Sequence, residues 1–78
     1  MINEQVAITT EYITLGQFLK MTDFIQTGGA AKPFLDTYVV LVDGVEESRR
    51  GKKLYRGSII EFPENARYEI VSKNDVSL

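Results

Sequence analysis

The chain of 78 residues has no cysteine, no histidine and no tryptophan, and only two prolines. Without thiols there is no disulfide to staple the fold and no thiolate metal site. Without histidine there is no side chain that changes charge near neutrality and no imidazole ligand. Carboxylate-only metal sites are chemically open, but no grouping of acids suggests one, and no cofactor is expected. No run approaches the ~18 consecutive apolar residues of a spanning helix, so no membrane partner is expected. The amino terminus, Met1 Ile2 Asn3 Glu4 Gln5, lacks the basic start and apolar run of a secretory signal. The expected location is cytoplasmic. Repeats, linkers and low-complexity stretches are missing too, so residues 1–78 read as one domain, with loose ends at about 1–5 and 73–78.

Acids slightly outnumber bases, 11 against 9, yet five of the nine bases fall in one eight-residue window that contains no acid: Arg49, Arg50, Lys52, Lys53 and Arg56. A local positive patch on a net-negative molecule concentrates potential where a polyanion could dock, while the rest of the surface discourages indiscriminate association. A charged segment beside a hairpin is often only solvated surface. Five cations without an intervening acid repel one another, which favours a reading with an anionic partner.

Val6, Ile8 and Thr10 alternate with Ala7 and Thr9 as in a short strand. Thr14 reads as the N-cap of a helix whose apolar face is Leu15, Phe18 and Leu19, ending near Met21 or Thr22. Thr27, Gly28 and Gly29 open a second helix through Ala31, Phe34 and Leu35. Pro33 predicts an irregular or late start there, because proline is tolerated only in a first turn. Val39 to Val42 is a β-branched run closed by Asp43-Gly44, the dipeptide of a two-residue hairpin, with Val45 opening the return strand. After the basic window, Arg56-Gly57 reads as a turn, Ser58 to Phe62 as a strand, Pro63 to Ala66 as a loop and Arg67 to Val71 as the last strand. The fold class is therefore α+β, two short helices packed on a small, curved, mostly antiparallel sheet. Its expected core is Leu15, Phe18, Leu19, Ala31, Phe34, Leu35, Val40, Val42, Leu54, Ile59 and Ile60.

Five segments in order resemble a known family: Leu15-Gly16-Gln17-Phe18-Leu19-Lys20, Thr27-Gly28-Gly29-Ala30-Ala31-Lys32, Val40-Leu41-Val42-Asp43-Gly44, Arg49-Arg50-Gly51-Lys52-Lys53-Leu54, and Gly57 before Ile59-Ile60. They are similar to the RNA-binding domain named after ribosomal protein S-four, and most of all to its small stand-alone bacterial members of the YaaA and YbcJ type. The resemblance spans about Thr10 to Val71. It implies a helix pair plus β-hairpin, the αL motif, that holds structured RNA, with ribosomal RNA of the large subunit as the expected partner and ribosome assembly as the expected setting. Carried over position by position, the RNA face would be Thr27, Gly28, Gly29 and Lys32 at the second helix, with Arg49, Arg50, Lys52 and Lys53 beyond the hairpin; Arg56 completes the basic window. Larger family members usually carry arginines where this chain has Gly28 and Gly29.

Read from the residues alone, Gly28-Gly29 allows two accounts, a backbone that lets a phosphate approach closely or a tight turn between helices. Tyr55 interrupts the basic window and either stacks on an exposed base or packs against the sheet. Lys20 reads as a solvated charge complementing the helix dipole. Asp43, Glu46 and Glu47 read as hairpin residues serving solubility and register. Glu46 and Glu47 cannot flank one bond as a catalytic pair, since adjacent strand residues point to opposite faces. With no histidine, cysteine or phosphate-loop motif, and no small-molecule substrate suggested, a binding protein is expected rather than an enzyme. The alternative within that class is a protein-interaction adaptor that sets the basic patch on an acidic partner.

Overall fold

In the computed structural model, which describes residues 2–63 and 66–73, the chain runs β1 (Ile2–Ile8), β2 (Tyr12–Thr14), α1 (Leu15–Met21), a 3-10 turn (Gly28–Ala30), α2 (Ala31–Thr37), β3 (Leu41–Val42), β4 (Val45–Glu46), β5 (Lys53–Tyr55), β6 (Ile59–Phe62) and β7 (Ala66–Ser72). Five strands form one sheet in the order β1-β7-β6-β3-β4, and β2 pairs with β5 in a separate ribbon. Every pairing is antiparallel except that of β1 with β7. The α+β class expected from the sequence is the one observed.

Helix α1 begins at a capping box. The Thr14 hydroxyl accepts from the Gln17 amide at 3.2 Å, and the Gln17 side-chain oxygen accepts from the Thr14 amide at 2.8 Å. The helix ends in a Schellman arrangement: the Phe24 amide donates to the Leu19 carbonyl at 2.9 Å and the Asp23 amide to Lys20 at 3.1 Å, with Asp23 left-handed at φ 64. That reversal lays Phe24 on Phe62 of β6, ring centroids 4.3 Å apart. Phe18 packs edge-on to Tyr68 of β7 at 5.3 Å, and Leu15, Phe18, Leu19, Val40, Leu54, Ile60 and Ile70 are fully buried.

Pro33 acts as expected. The Gly28–Ala30 segment winds as a 3-10 turn and the α-helix begins at Ala31, so Pro33 falls in its first turn. The Asp43-Gly44 turn has positive φ at both residues, 52 and 84, as a two-residue hairpin of type I′ requires. Asp43 also ties the hairpin to β6, its carboxylate accepting from the Ile59 amide at 2.9 Å.

Other expectations need correction. Residues 2–5 are not a loose end: β1 starts at Ile2 and pairs in parallel with β7 from Ile2↔Ala66 to Ile8↔Ser72. Asn3, Glu4 and Gln5 are exposed on an edge strand, which hides the period-two signal at the sequence level. Of the loose end proposed at 73–78, residues 74–78 lie outside the described residues, as do Glu64 and Asn65 of the loop before β7. Strand β3 is only Leu41–Val42, because Tyr38 and Val39 turn out to solvent. Within the basic window, to which the sequence assigned no element, Lys53–Tyr55 forms β5. In the core, Phe34 and Ile59 are half-buried, while Ile8, Ile13, Ile25, Phe62, Ala66, Tyr68 and Ile70 join it.

Candidate nucleic-acid interface

The first amides of a helix lack intrahelical partners. In α1 two of them hold the basic segment. The Leu15 amide donates to the Lys52 carbonyl at 2.8 Å and the Gly16 amide to the Arg50 carbonyl at 2.9 Å. A turn closed by the Lys52 amide on the Arg49 carbonyl at 3.2 Å shapes the segment between them. Gly16 sits close to the loop and to α2: a Cβ there would make ordinary contacts, 3.4 Å from the Arg50 carbonyl oxygen and 3.6 Å from the Ala31 Cβ. The loop's backbone is thereby fixed against the start of α1, while Arg49, Arg50 and Lys53 are exposed.

Three shallow hollows follow from this clamp. One is lined by Gly16, Gln17, Lys20, Gly28, Arg50 and Gly51 among others, and so joins the first helix, the Gly28 turn and the loop. A second brings Lys32 and Asp36 of α2 to Ser48, Arg49 and Arg50. The third is lined by Arg49, Gly51, Lys52, Lys53 and Tyr55. Of the residues expected at the site, Gly28, Lys32, Arg49, Arg50, Lys52 and Lys53 thus border one continuous stretch of surface. Thr27 is exposed at the start of the 3-10 turn and makes no side-chain cap bond. Arg56 stands apart, lining a hollow with Gln5, Gly57 and Glu69 beside β7. Lys20, read from the sequence as a solvated helix-end charge, belongs with Arg50 and Gly28 instead. Gly16 was the available signal, because Lys20 lies four residues further along the same helix face.

Gly28 and Gly29 have no conformational need to be glycine. Neither has a positive φ, and a Cβ on either would meet nothing within 4 Å. Gly28 leaves an open backbone in the hollow that Lys20 and Arg50 also line.

The charge of the loop is partly offset. Glu47 accepts from Arg49 three times, at 3.1 Å from the amide, 2.9 Å from Nε and 3.2 Å from a terminal guanidinium nitrogen. The hydrogen bond from the Arg49 side chain, reinforced by the backbone bond and by the charges of Arg49 and Lys52, pulls the Glu47 carboxyl from 4.5 down to about 2 despite the opposing effect of burial. Glu47 is therefore a partner of the basic window and not merely a solubilising hairpin acid. Lys32 makes a looser ion pair with Asp36, 3.9 Å apart and exposed. Among the described residues there is no cluster of acidic side chains able to hold a metal, and no helix is long and apolar enough to cross a membrane.

The sequence profile of the S4 domain matches residues 6–71, which include every residue of this surface. The chain belongs to the S4 domain family. It is also similar to a curated Bacillus subtilis (strain 168) protein named as a probable ribosome maturation protein, RlbA, with 48% identity over 67 residues, covering 86% of this chain and 94% of that protein. The two helices and the β3–β4 hairpin are the elements that the resemblance to this family anticipated. The residues beyond the hairpin are the segment pinned across the start of α1.

Proposed function

We propose that this protein binds structured ribosomal RNA of the large subunit without catalysing a reaction, and that it acts in the cytoplasm in ribosome maturation. The observation that supports this most is the clamp of the basic loop on the first amides of α1, which puts Lys20, Arg50 and the open Gly28 backbone on one surface. Membership of the S4 family and similarity to a protein named for ribosome maturation supply the setting. In this reading Arg50, Lys52 and Lys53 meet phosphates, Lys32 and Lys20 flank them, and Thr27 to Gly29 let the RNA backbone come close. Arg49 takes part through the donors that Glu47 leaves, since a guanidinium has five N–H groups and Glu47 uses two. Phosphate contacts of this kind set affinity and register rather than base choice.

About four such contacts predict a slope near −3 for log affinity against log salt, at roughly −0.7 per contact on irregular or single-stranded RNA. Replacing both Arg50 and Lys52 with Glu should weaken binding and flatten that slope while the thermal melt stays close to that of the parent. The direct test is crosslinking in cells followed by sequencing of the bound fragments, with the charge-reversed protein in parallel. A discrete ribosomal RNA site lost in the variant is the expected result. No enrichment over background, together with binding to an acidic protein, would favour the adaptor reading instead.

A further inference from the structure

The ribbon of β2 and β5 has two different faces. Ile13 and Leu54 point inward and are buried, and they are all the core requires of it. On the outer face the cross-strand partners are Tyr12 and Tyr55, with Lys53 two residues before Tyr55 on the same side. Both rings are open to solvent, Tyr12 at 39% and Tyr55 at 45%, against 5% for Tyr68 in the core. The two rings lean on each other, centroids 5.8 Å apart at 51°, and the Lys53 ammonium sits 4.8 Å from the centre of the Tyr12 ring. Tyr55 also borders the hollow formed with Arg49, Gly51, Lys52 and Lys53.

We propose that Tyr55, braced by Tyr12, is a stacking platform for an unpaired base of the bound RNA, with Lys53 placed for the neighbouring phosphate. The inference rests on the RNA-binding reading above and adds to it a single-stranded feature of the ligand. A base and a tyrosine ring stack through broad apolar faces, and the phenol edge stays wet. With its phosphates in the cationic hollow, a strand brings a base over the ring at that hollow's rim. Tyr12, one face of which is taken by the ammonium, supports Tyr55 from the side. Tyr38 is more open to solvent still but lies in a cleft lined by Phe24, Phe34, Val39, Phe62 and Pro63 with no cation, which makes it an internal control.

The experiment compares the full chain binding to end-labelled oligo-uridylate and to an abasic ribose-phosphate strand of equal length, across a salt series, with Tyr55→Val, Tyr55→Phe and Tyr38→Val variants checked by thermal melt. The parent should prefer the base-bearing strand by about tenfold. Tyr55→Val should erase that preference at an unchanged salt slope, whereas Tyr55→Phe and Tyr38→Val should keep it. Photocrosslinking of the parent protein to 4-thiouridine-substituted oligo-uridylate needs no folded variant, and should attach at Tyr55. Equal binding of both strands by the parent, a preference that survives Tyr55→Val, or a crosslink confined to other residues overturns the platform while leaving the RNA reading intact. Failure of both strands to bind at any salt overturns the platform, and the RNA reading falls with it only if the in-cell crosslinking above also shows no ribosomal RNA site.

Discussion

Glu47 and Arg49 stand two residues apart just beyond β4, and their three hydrogen bonds join the hairpin to the basic turn. The pairing gives stability a defined pH dependence. Because the carboxyl titrates at about 2 when folded and at 4.5 ordinarily, its contribution is complete above 4.5 and fades as the pH falls towards 2. In urea melts the difference between the parent and Glu47→Gln should be constant from neutrality down to about pH 4.5 and shrink as the pH falls from there towards 2. The glycines provide a second test. Gly57, at φ 92 in the turn closed by the Ser58 amide on Tyr55, needs its left-handed conformation, so Gly57→Ala should cost about 1–2 kcal/mol in thermal or urea melts. Gly28→Ala should cost nothing or add about 0.4–1 kcal/mol by restricting the unfolded chain. The Asp43-Gly44 turn was legible from its two residues alone, since its φ angles are local. The different status of Gly57 and Gly28 was not, because composition does not report φ.

The elements divide in the same way. The extent of α1, its Thr14 cap and the late start of α2 at Pro33 follow from interactions within four residues, and all were readable. Removing the cap with Thr14→Ala should destabilise the domain by about 1 kcal/mol and loosen the basic loop that docks beside it, measurable as a lower melting temperature and faster amide exchange at Leu15 and Gly16. Strand β1 was misplaced because its evidence is long-range. Its partner β7 lies more than sixty residues later, and the parallel pairing leaves no hairpin signature. Deleting residues 1–5 should therefore lower the melting temperature sharply instead of being neutral, since it removes the pairing of β1 with Ala66 to Glu69. The ribbon of β2 and β5 was likewise hidden, as three residues of β-pattern inside a charged window carry little weight until Leu54 is seen to be buried.

At the scale of the whole molecule, a net charge of −2 conceals a segregation. Register places Glu46, Glu61 and Glu69 with Arg67 on one face of the five-stranded sheet, by way of the Leu41↔Glu46, Leu41↔Glu61, Glu61↔Arg67 and Ile59↔Glu69 pairs. The cationic hollows lie instead around the basic loop and the helices. An acidic face repels a polyanion, so among the described residues the side with the basic loop and the helices suits one better. The single core makes this arrangement fragile. A 78-residue domain has about 4–12 kcal/mol of total stability. Phe18→Ala at the fully buried centre of the aromatic cluster should remove about 3–5 kcal/mol. That corresponds to a fall in melting temperature of upward of about 12 °C in calorimetry.

By itself the sequence determined the class of fold, the first helix with its cap, the hairpin turn, the late second helix and the existence of a positive patch. Each of these depends on neighbours a few residues apart or on composition, and backbone propensity and side-chain period suffice to read them. Only the tertiary structure decided that Arg56 leaves the patch and Lys20 enters it, that Glu47 offsets Arg49, and that Tyr12 stands beside Tyr55. Those outcomes depend on pairings between β2 and β5, on the amides of Leu15 and Gly16 reaching Arg50 and Lys52, and on β7 lying beside β1. Contacts between segments so far apart in the chain are set by the packing of one shared core, which no local pattern encodes.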